Sequence, residues 1–313
     1  MRFVIVGPGA LGSVFGAALT KRGHSVLLLG RRTPHLEALR AEGLRLEARD
    51  GTVEQLPVSA TVDPADVTDA DAVIVLVKSV DTISAMSGIR PYVSPGQIVL
   101  TLQNGLGNVD RIRSVLGSGP RLLVGVTSQA ATRLGPGWVK HAGEGPTLVG
   151  YLDERDAEAA TWLASVFADA GLAATTVPDI GRWVWQKLAV NAAINGLTAV
   201  GNIPNGAVAT TPSLLDAAEI IAEEVASVAR ELGIELGGMR RAILETANAT
   251  KGNRSSMLQD LDAGRPTEVA AIHEAVLTAA EEVGIATPAT RVIAALIRAK
   301  ERAMSRVESV DDD

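Results

Sequence analysis

The stretch Arg2-Phe3-Val4-Ile5-Val6-Gly7-Pro8-Gly9-Ala10-Leu11-Gly12, continued by the helical run 13–22, decides the fold. A largely apolar strand enters a G-x-G-x-x-G loop directly, and the loop opens into a helix. Gly7 permits the tight turn, Gly9 lets backbone approach a phosphate, and Gly12 allows the helix to pack closely. Pro8, Ala10 and Leu11 complete the loop, and the helix N-terminus offers unbonded N–H groups to an anion. A bare glycine match is weak; the strand before it and the helix after it are what point to a dinucleotide pyrophosphate.

Outward from this loop, apolar runs at 25–29, 73–77, 98–102, 122–126 and 148–151 alternate with helical stretches, as does the first strand at 3–6. They are apolar at successive positions, the mark of strands covered on both faces. The pattern predicts an α/β fold with an N-terminal Rossmann-type, doubly wound parallel sheet. Gly23 and Gly171 each close a helical run. After Val177-Pro178 the period changes: segments 214–232, 239–249, 267–283 and 288–307 carry apolar residues three and four apart. The expectation is a second, all-α domain, with boundaries at 1–177 and 178–313. Gly233 and Gly284 mark helix ends there, and Pro212, Pro266 and Pro288 sit where helices can begin.

Composition narrows the functions available. A chain of 313 residues is long enough for two cores, and a hydrophobic share of 47% with 21% charged residues is that of a folded protein. The net charge of −7 disfavours a nucleic-acid or anionic-membrane partner, either of which needs a broad basic face. With no cysteine there is no disulfide and no thiolate chemistry, which fits a reducing, cytoplasmic setting; four scattered histidines argue against a metal site. The apolar start resembles a signal peptide only superficially, because it has one basic residue and glycines at offsets a signal does not need. No uninterrupted apolar run approaches the ~20 residues that span a bilayer. The tail 308–313 is expected to fray, and the apolar helices of the second domain leave room for a homodimer about a two-fold axis.

The second strand-like run ends Leu29-Gly30-Arg31-Arg32, where an NAD-preferring site would carry an acid. Guanidinium forks suit a 2′-phosphate, so NADP (NADPH) is the expected cofactor, with Arg31 as the phosphate ligand. The alternative is that Arg31 and Arg32 are ordinary solvated charges. Lys78 follows the third run and would emerge at the carboxyl edge of the sheet, either near the adenosine end of the cofactor or as a surface lysine.

In the apolar helical run 185–198, Lys187, Asn191 and Asn195 recur every four residues and so share one face. At a rise of about 1.5 Å per residue they step roughly 6 Å at a time, about the length of a small branched acid. Leu188, Ala189, Val190, Ala192, Ala193, Ile194 and Leu197 surround the stripe, which argues against a merely solvated face. Asparagine is also a poor helix former, so stability alone would not choose it. A polar interhelical network is the other reading of a buried stripe.

Downstream come Asn202-Ile203-Pro204-Asn205, the segment 253–260 (Asn-Arg-Ser-Ser-Met-Leu-Gln-Asp), and Arg265-Pro266-Thr267-Glu268. Taken in order with Lys187, Asn191 and Asn195, with Gln103-Asn104-Gly105 and with His141-x-Gly143-x-Gly145, the chain resembles the ketopantoate reductase family over nearly its whole length. The resemblance implies NADPH-dependent reduction of a small 2-keto acid, ketopantoate to pantoate in pantothenate biosynthesis. It implies Lys187 as general acid and Glu268 as a residue that binds and orients substrate. Asn191, Asn195 and Asn205 would hold its hydroxyl and carbonyl groups, Asn253 and Ser256 its carboxylate end, and Asn104 would sit between nicotinamide and substrate.

The residue types suit that chemistry on their own account. Hydride delivery to a keto carbon builds negative charge on oxygen, which an ammonium stabilises and then protonates. Burial should lower the Lys187 pKa and a neighbouring Glu268 should raise it, and the sequence leaves the balance open. Neutral Asn and Ser groups satisfy a hydroxylated acid without burying more unpaired charge. Glu268 would also serve as an acid at a helix start, and Ser256 as an N-cap before Met257. After Thr267-Glu268 the family's usual Ile-Asp-Tyr-Ile-Asn-Gly reads Val269-Ala270-Ala271-Ile272-His273-Glu274. Another NADP-dependent hydroxyacid dehydrogenase of this architecture, or a non-catalytic NADP-binding regulatory protein, are the competing expectations.

Overall fold

The computed structural model describes residues 1–308; residues 309–313, most of the tail for which fraying is expected, lie outside the described residues. The chain forms two compact units, one made of Met1–Gln103 and Asn108–Ile180, the other of Asn104–Gly107 and the chain from Gly181 onward.

The first unit runs β1 (Arg2–Val6), α1 (Ala10–Lys21), β2 (Ser25–Leu29), α2 (Pro34–Glu42), β3 (Leu44–Glu47), β4 (Val53–Leu56), β5 (Ser59–Thr61) and β6 (Ala72–Val75). It continues α3 (Thr82–Ile89), β7 (Ile98–Thr101), α4 (Asn108–Leu116), β8 (Arg121–Thr127), β9 (Ala130–Gly135), β10 (Trp138–Gly143), β11 (Thr147–Tyr151), α5 (Ala157–Asp169) and β12 (Ala174–Thr176). Eight strands form one sheet in the order β12-β11-β8-β7-β6-β1-β2-β5. Successive residues of its central strands feed different cores. Phe3, Ile5, Ile74 and Leu100 pack with Phe15 and Phe167 on one face, whereas Val4, Val6, Val73 and Val99 pack with Met86, Ile89 and Ile112 on the other. Strands buried on both faces must be apolar throughout, which is why their runs show no alternation.

All six expected strands lie in this sheet, which also contains β5 and β12, and the structure differs from the expectation in other ways. Run 148–151 (β11) pairs antiparallel with β8, so the sheet is mixed at that end. Residues 76 and 77 lie beyond the end of β6. A second sheet, β4-β3-β10-β9, was not expected. Its strands are short and half polar, as in Leu44-Arg45-Leu46-Glu47, and they depend on distant pairing; Arg45 even stacks over Trp138, 4.0 Å from its ring centre.

The second unit is helical: α6 (Ile180–Gly201), α7 (Gly206–Thr210), α8 (Pro212–Glu231), α9 (Met239–Ala249), α10 (Ser256–Asp262), a π-helical turn (Ala270–Glu274), α11 (Ala275–Val283) and α12 (Pro288–Glu308). Pro212 and Pro288 open α8 and α12 as expected of a residue with fixed φ and no N–H to lose. Pro266 does not: the helix begins only after Glu268, and it passes through the π turn before settling into α11. Among the described residues no helix is long and apolar enough to cross a membrane.

α6 is the spine of this unit. Leu188, Ala189, Ala192, Ala193, Ile194 and Ala199 are all buried in one core with residues of α8, α9, α11 and α12. Its last carbonyls need partners, and Lys300 Nζ donates to those of Ala199 (2.8 Å) and Val200 (2.7 Å). α12 is anchored in turn by Glu224, whose carboxylate accepts from the N–H groups of Ala289 and Thr290 at its first turn. Where the π turn meets α6, Gly196 leaves no room for a side chain. A Cβ there would lie 2.6 Å from Ile293 Cγ2 and 2.8 Å from His273 Nε2.

Gly196→Ala therefore sets a helix-propensity gain of roughly 1 kcal/mol against an overpacking cost of about 1–3 kcal/mol. Both contacted side chains are buried, so the cost should win: we expect the unfolding free energy to fall by up to about 2 kcal/mol, read as a lower denaturation midpoint at unchanged m-value.

Candidate active site

The glycine loop has the geometry a phosphate group needs. Gly7 has φ +107°, and a Cβ on it would meet Val77 N at 2.5 Å, so residues 76 and 77 press backbone directly on this turn. A Cβ on Gly12 would run into the Gly7 carbonyl, whereas one on Gly9 would meet nothing within 4 Å. The open side of the loop thus lies at Gly9, the N-cap of α1. No side chain caps that helix and its first turn carries no acid, so the opening N–H groups are left for an anion. Pro8 rests against Gly30, and Ala10 and Leu11 form the first turn. His35 braces the loop from behind: Gly137 N–H donates to its Nδ1 (3.0 Å), which leaves Nε2–H directed at Ser13 Oγ (3.3 Å). These features fit a dinucleotide.

Arg31 and Arg32 follow β2 as expected, with side chains 80% and 73% exposed. Arg31 pairs with Asp81 at 3.2 Å and Arg32 with Glu37 at 3.5 Å. Pairs this exposed are weak, so either guanidinium can turn to another anion at small cost. Lys78 is half-buried and stands at the residue before the short helix of residues 79–81.

In the helical unit, the stripe on α6 is not a solvated face. Lys187 and Asn191 are half-buried and Asn195 is buried. Neither asparagine side-chain amide bonds another group among the described residues, so the fold does not spend them on itself. Asn205 is buried; its Nδ2 donates to Thr250 Oγ1 (3.0 Å), while its Oδ1 has no partner. Its own N–H donates to the carbonyl of Asn253 (3.0 Å), which joins those two residues.

Ser256 is exposed at the start of α10, and the cap is its neighbour: Ser255 Oγ accepts from Leu258 N–H (3.2 Å). The expectation of a cap at Ser256 is thus off by one. Ser255 is also buried and accepts from Thr198 Oγ1 (2.8 Å), one turn beyond Asn195 on α6. Sequence reading missed this pair, although the Ser255-Ser256 doublet offered two capping residues and Thr198 lay within the run already singled out.

Glu268 is buried and meets two of the other site residues, Asn104 and Lys187. Asn104 Nδ2 donates to its Oε2 at 3.2 Å, and the Leu106 N–H donates to the Ala271 carbonyl at 2.9 Å, so segment 104–107 docks on the π turn. A π turn shifts the helix's own hydrogen-bond register, a feature concentrated at functional sites. The Lys187 ammonium interacts with the Glu268 carboxylate, which raises its pKa; burial lowers it more, leaving it at about 8. The balance the sequence left open is therefore decided by desolvation.

Two of the altered residues after Glu268, His273 and Glu274, serve the fold. His273 is fully buried, with Nε2 donating to the Ala192 carbonyl of α6 (3.0 Å) and Nδ1 unpartnered. Glu274 is gripped by Arg298 through two bonds of 2.7 and 2.6 Å, which hold its carboxyl below the usual range. Among the described residues no group of three or more His, Asp or Glu is placed to hold a metal.

Two family models match the chain: "ketopantoate reductase PanE/ApbA" over residues 3–154 and its C-terminal counterpart over 179–301. Similar curated proteins include the 2-dehydropantoate 2-reductase of Halobacterium salinarum, 39% identical over 96% of this chain and 99% of the relative, and that of Archaeoglobus fulgidus, 38% identical over 96% and 98%. A solved PanE/ApbA family ketopantoate reductase from Ralstonia eutropha superposes with a TM-score of 0.87 at 34% identity, covering 97% of this chain and 100% of its own. The ternary structure of D-mandelate dehydrogenase with NADH and anilino(oxo)acetate superposes at 0.90 with 27% identity, over the same shares of the two chains.

The buried imidazole gives a stability signature. Burial pushes His273 down to about 4 from the usual 6.5, so the unfolded chain takes up a proton there that the native one refuses. Unfolded molecules then bind more protons between those values, and stability falls as pH drops from 6.5 toward 4, by up to about 3 kcal/mol. The pH dependence of unfolding free energy in the wild type minus that in His273→Asn should show this slope, and a flat difference would contradict it.

Proposed function

Because the chain belongs to the ketopantoate reductase family, we propose that it reduces ketopantoate (2-dehydropantoate) to pantoate with NADPH, the glycine-loop unit holding the cofactor and the helical unit the keto acid. The observation that carries this reading is the Lys187 ammonium, half-buried beside Glu268, on a helix edge that also carries Asn191 and Asn195.

NADPH, when bound, would supply the hydride, and Gly7 through Gly12 would hold its pyrophosphate. Lys187 hydrogen-bonds the keto oxygen, stabilises the charge that grows there and gives up its proton. A pKa near 8 suits both tasks, since most lysines are charged at neutral pH while transfer remains easy. Glu268 keeps the ammonium charged and, with Asn104, fixes the direction it faces. Asn191, Asn195, Asn205 and Asn253 take the hydroxyl and carboxylate groups, and the unpartnered Asn205 Oδ1 is an acceptor suited to a substrate hydroxyl. Ser256, exposed at the N-terminus of α10, is assigned to the carboxylate end.

NADPH is favoured over NADH by Arg31 and Arg32 and by the absence of an acid at the end of β2, where Gly30 stands. The superposed mandelate dehydrogenase was solved with NADH, so the two cofactors are compared in kinetics. We expect kcat/KM at least tenfold higher with NADPH, and Arg31→Ala/Arg32→Ala to erase most of that ratio while leaving NADH kinetics alone.

Lys187→Ala should lower kcat with ketopantoate by about 10²–10⁴-fold with NADPH affinity little changed; an unaltered kcat would remove Lys187 as the acid. In the wild type, kcat for reduction should hold below pH 8 and decline above it as the ammonium is lost. Glu268→Gln withdraws the charge that raises the lysine pKa, so the decline should start at lower pH. A panel of branched 2-keto acids completes the test: a much larger kcat/KM with another member would replace ketopantoate as the substrate.

A further inference from the structure

Glu268 owes its position to a carboxylate on α12. One oxygen of Glu301 accepts from both the N–H and the hydroxyl of Thr267, each at 2.7 Å. Thr267 Oγ1 then accepts from Val269 N–H at 3.2 Å, and the Glu268 carbonyl accepts from Ala271 (3.1 Å) and Ile272 (3.0 Å). The backbone of Glu268 is thereby tied on both sides, while its side chain meets Asn104 and Lys187. The other oxygen of Glu301 accepts from Arg298 Nη1 (2.8 Å), and Arg298 is forked onto Glu274. Glu274 stands where the family pattern has glycine, so this chain supplies its own anchor for Arg298.

We propose that Glu301, steadied by Arg298 and Glu274, is a positioning residue that aims Glu268 at Lys187 and at the keto acid, a proposal that rests on the role given to Glu268 above. Thr267 is buried and the Glu301 side chain only 15% exposed, so water is poorly placed to replace these bonds. Loss of the brace lets the turn carrying Glu268 shift, and a misplacement of about 1 Å at a catalytic group lowers rates by roughly a hundredfold.

The test is steady-state kinetics of the full chain with NADPH and ketopantoate, for Glu301→Ala, Glu301→Gln, Glu268→Ala and the Glu268→Ala/Glu301→Ala double variant. Glu301→Ala should lower kcat/KM for ketopantoate by about 10–100-fold, with KM for NADPH within about twofold of wild type. Glu301→Gln keeps an oxygen for Thr267 and should recover most of the loss. The double variant should be no worse than Glu268→Ala alone, because both changes remove the same placement. Multiplying effects, or Glu301→Ala with wild-type kinetics, would overturn the proposal even if Glu268→Ala is impaired. A fully active Glu268→Ala would instead remove the role of Glu268, and the brace with it. Should Glu301→Ala not fold, Arg298→Met carries the same expectation at about 3–10-fold, and unchanged ketopantoate kinetics there would count against it.

Discussion

One ammonium kept partly out of water beside one carboxylate is the constraint to which the helical unit answers. A lysine charge is costly to desolvate, and the Glu268 carboxylate offsets part of the burial that lowers Lys187 to about 8. Every other polar group on that edge of α6 is neutral, as it must be if no further unpaired charge is to be buried. The helix that carries the lysine is held along its length: its core residues pack against α8, α9, α11 and α12, its C-terminal carbonyls bond Lys300, and the Ala192 carbonyl bonds His273. The carboxylate is held as firmly, by a turn whose flanking residues are tied to Glu301 and to the π turn.

The glycine-loop unit solves a different problem, that of offering backbone N–H groups to an anion at a fixed place. Its central strands send alternate side chains into two cores, so β1 cannot shift without disturbing both faces. The end of β1 is therefore rigid, and the loop that follows inherits its position. Backbone at residues 76 and 77 packs on Gly7, the Gly7 carbonyl excludes any side chain at Gly12, and only Gly9 is left open. The close packing that excludes side chains at Gly7 and Gly12 leaves the backbone of the loop free of them at the helix N-terminus, the arrangement an anion site needs.

Departure from the family pattern after Glu268 changes the residues, and two of the new side chains find partners in the fold. His273 fills the space left by Gly196 and bonds the backbone of α6, and Glu274 closes an ion-paired chain through Arg298 to Glu301. Residues behind a site can differ between relatives so long as the groups they steady stay in place.

Local spacing made much of this legible. G-x-G-x-x-G after a strand, unbroken apolar runs, four-residue steps on a helix and glycines or prolines at helix ends all follow from the geometry of a few consecutive residues, and α6, α8, α9 and α12 stand where their periodicity placed them. What required the folded chain were relations between distant residues. The antiparallel pairing of β11 and the half-polar second sheet depend on partners far along the chain. So does the choice of Ser255 over Ser256 as cap, settled by which hydroxyl lands beside Thr198, 57 residues away. The π turn, the 34-residue span from Thr267 to Glu301 and the victory of desolvation over attraction at Lys187 belong to the same class. Sequence determined which groups could do chemistry; tertiary structure decided how dry they are and what holds them, because burial and long-range hydrogen bonds are properties of packing and have no local code.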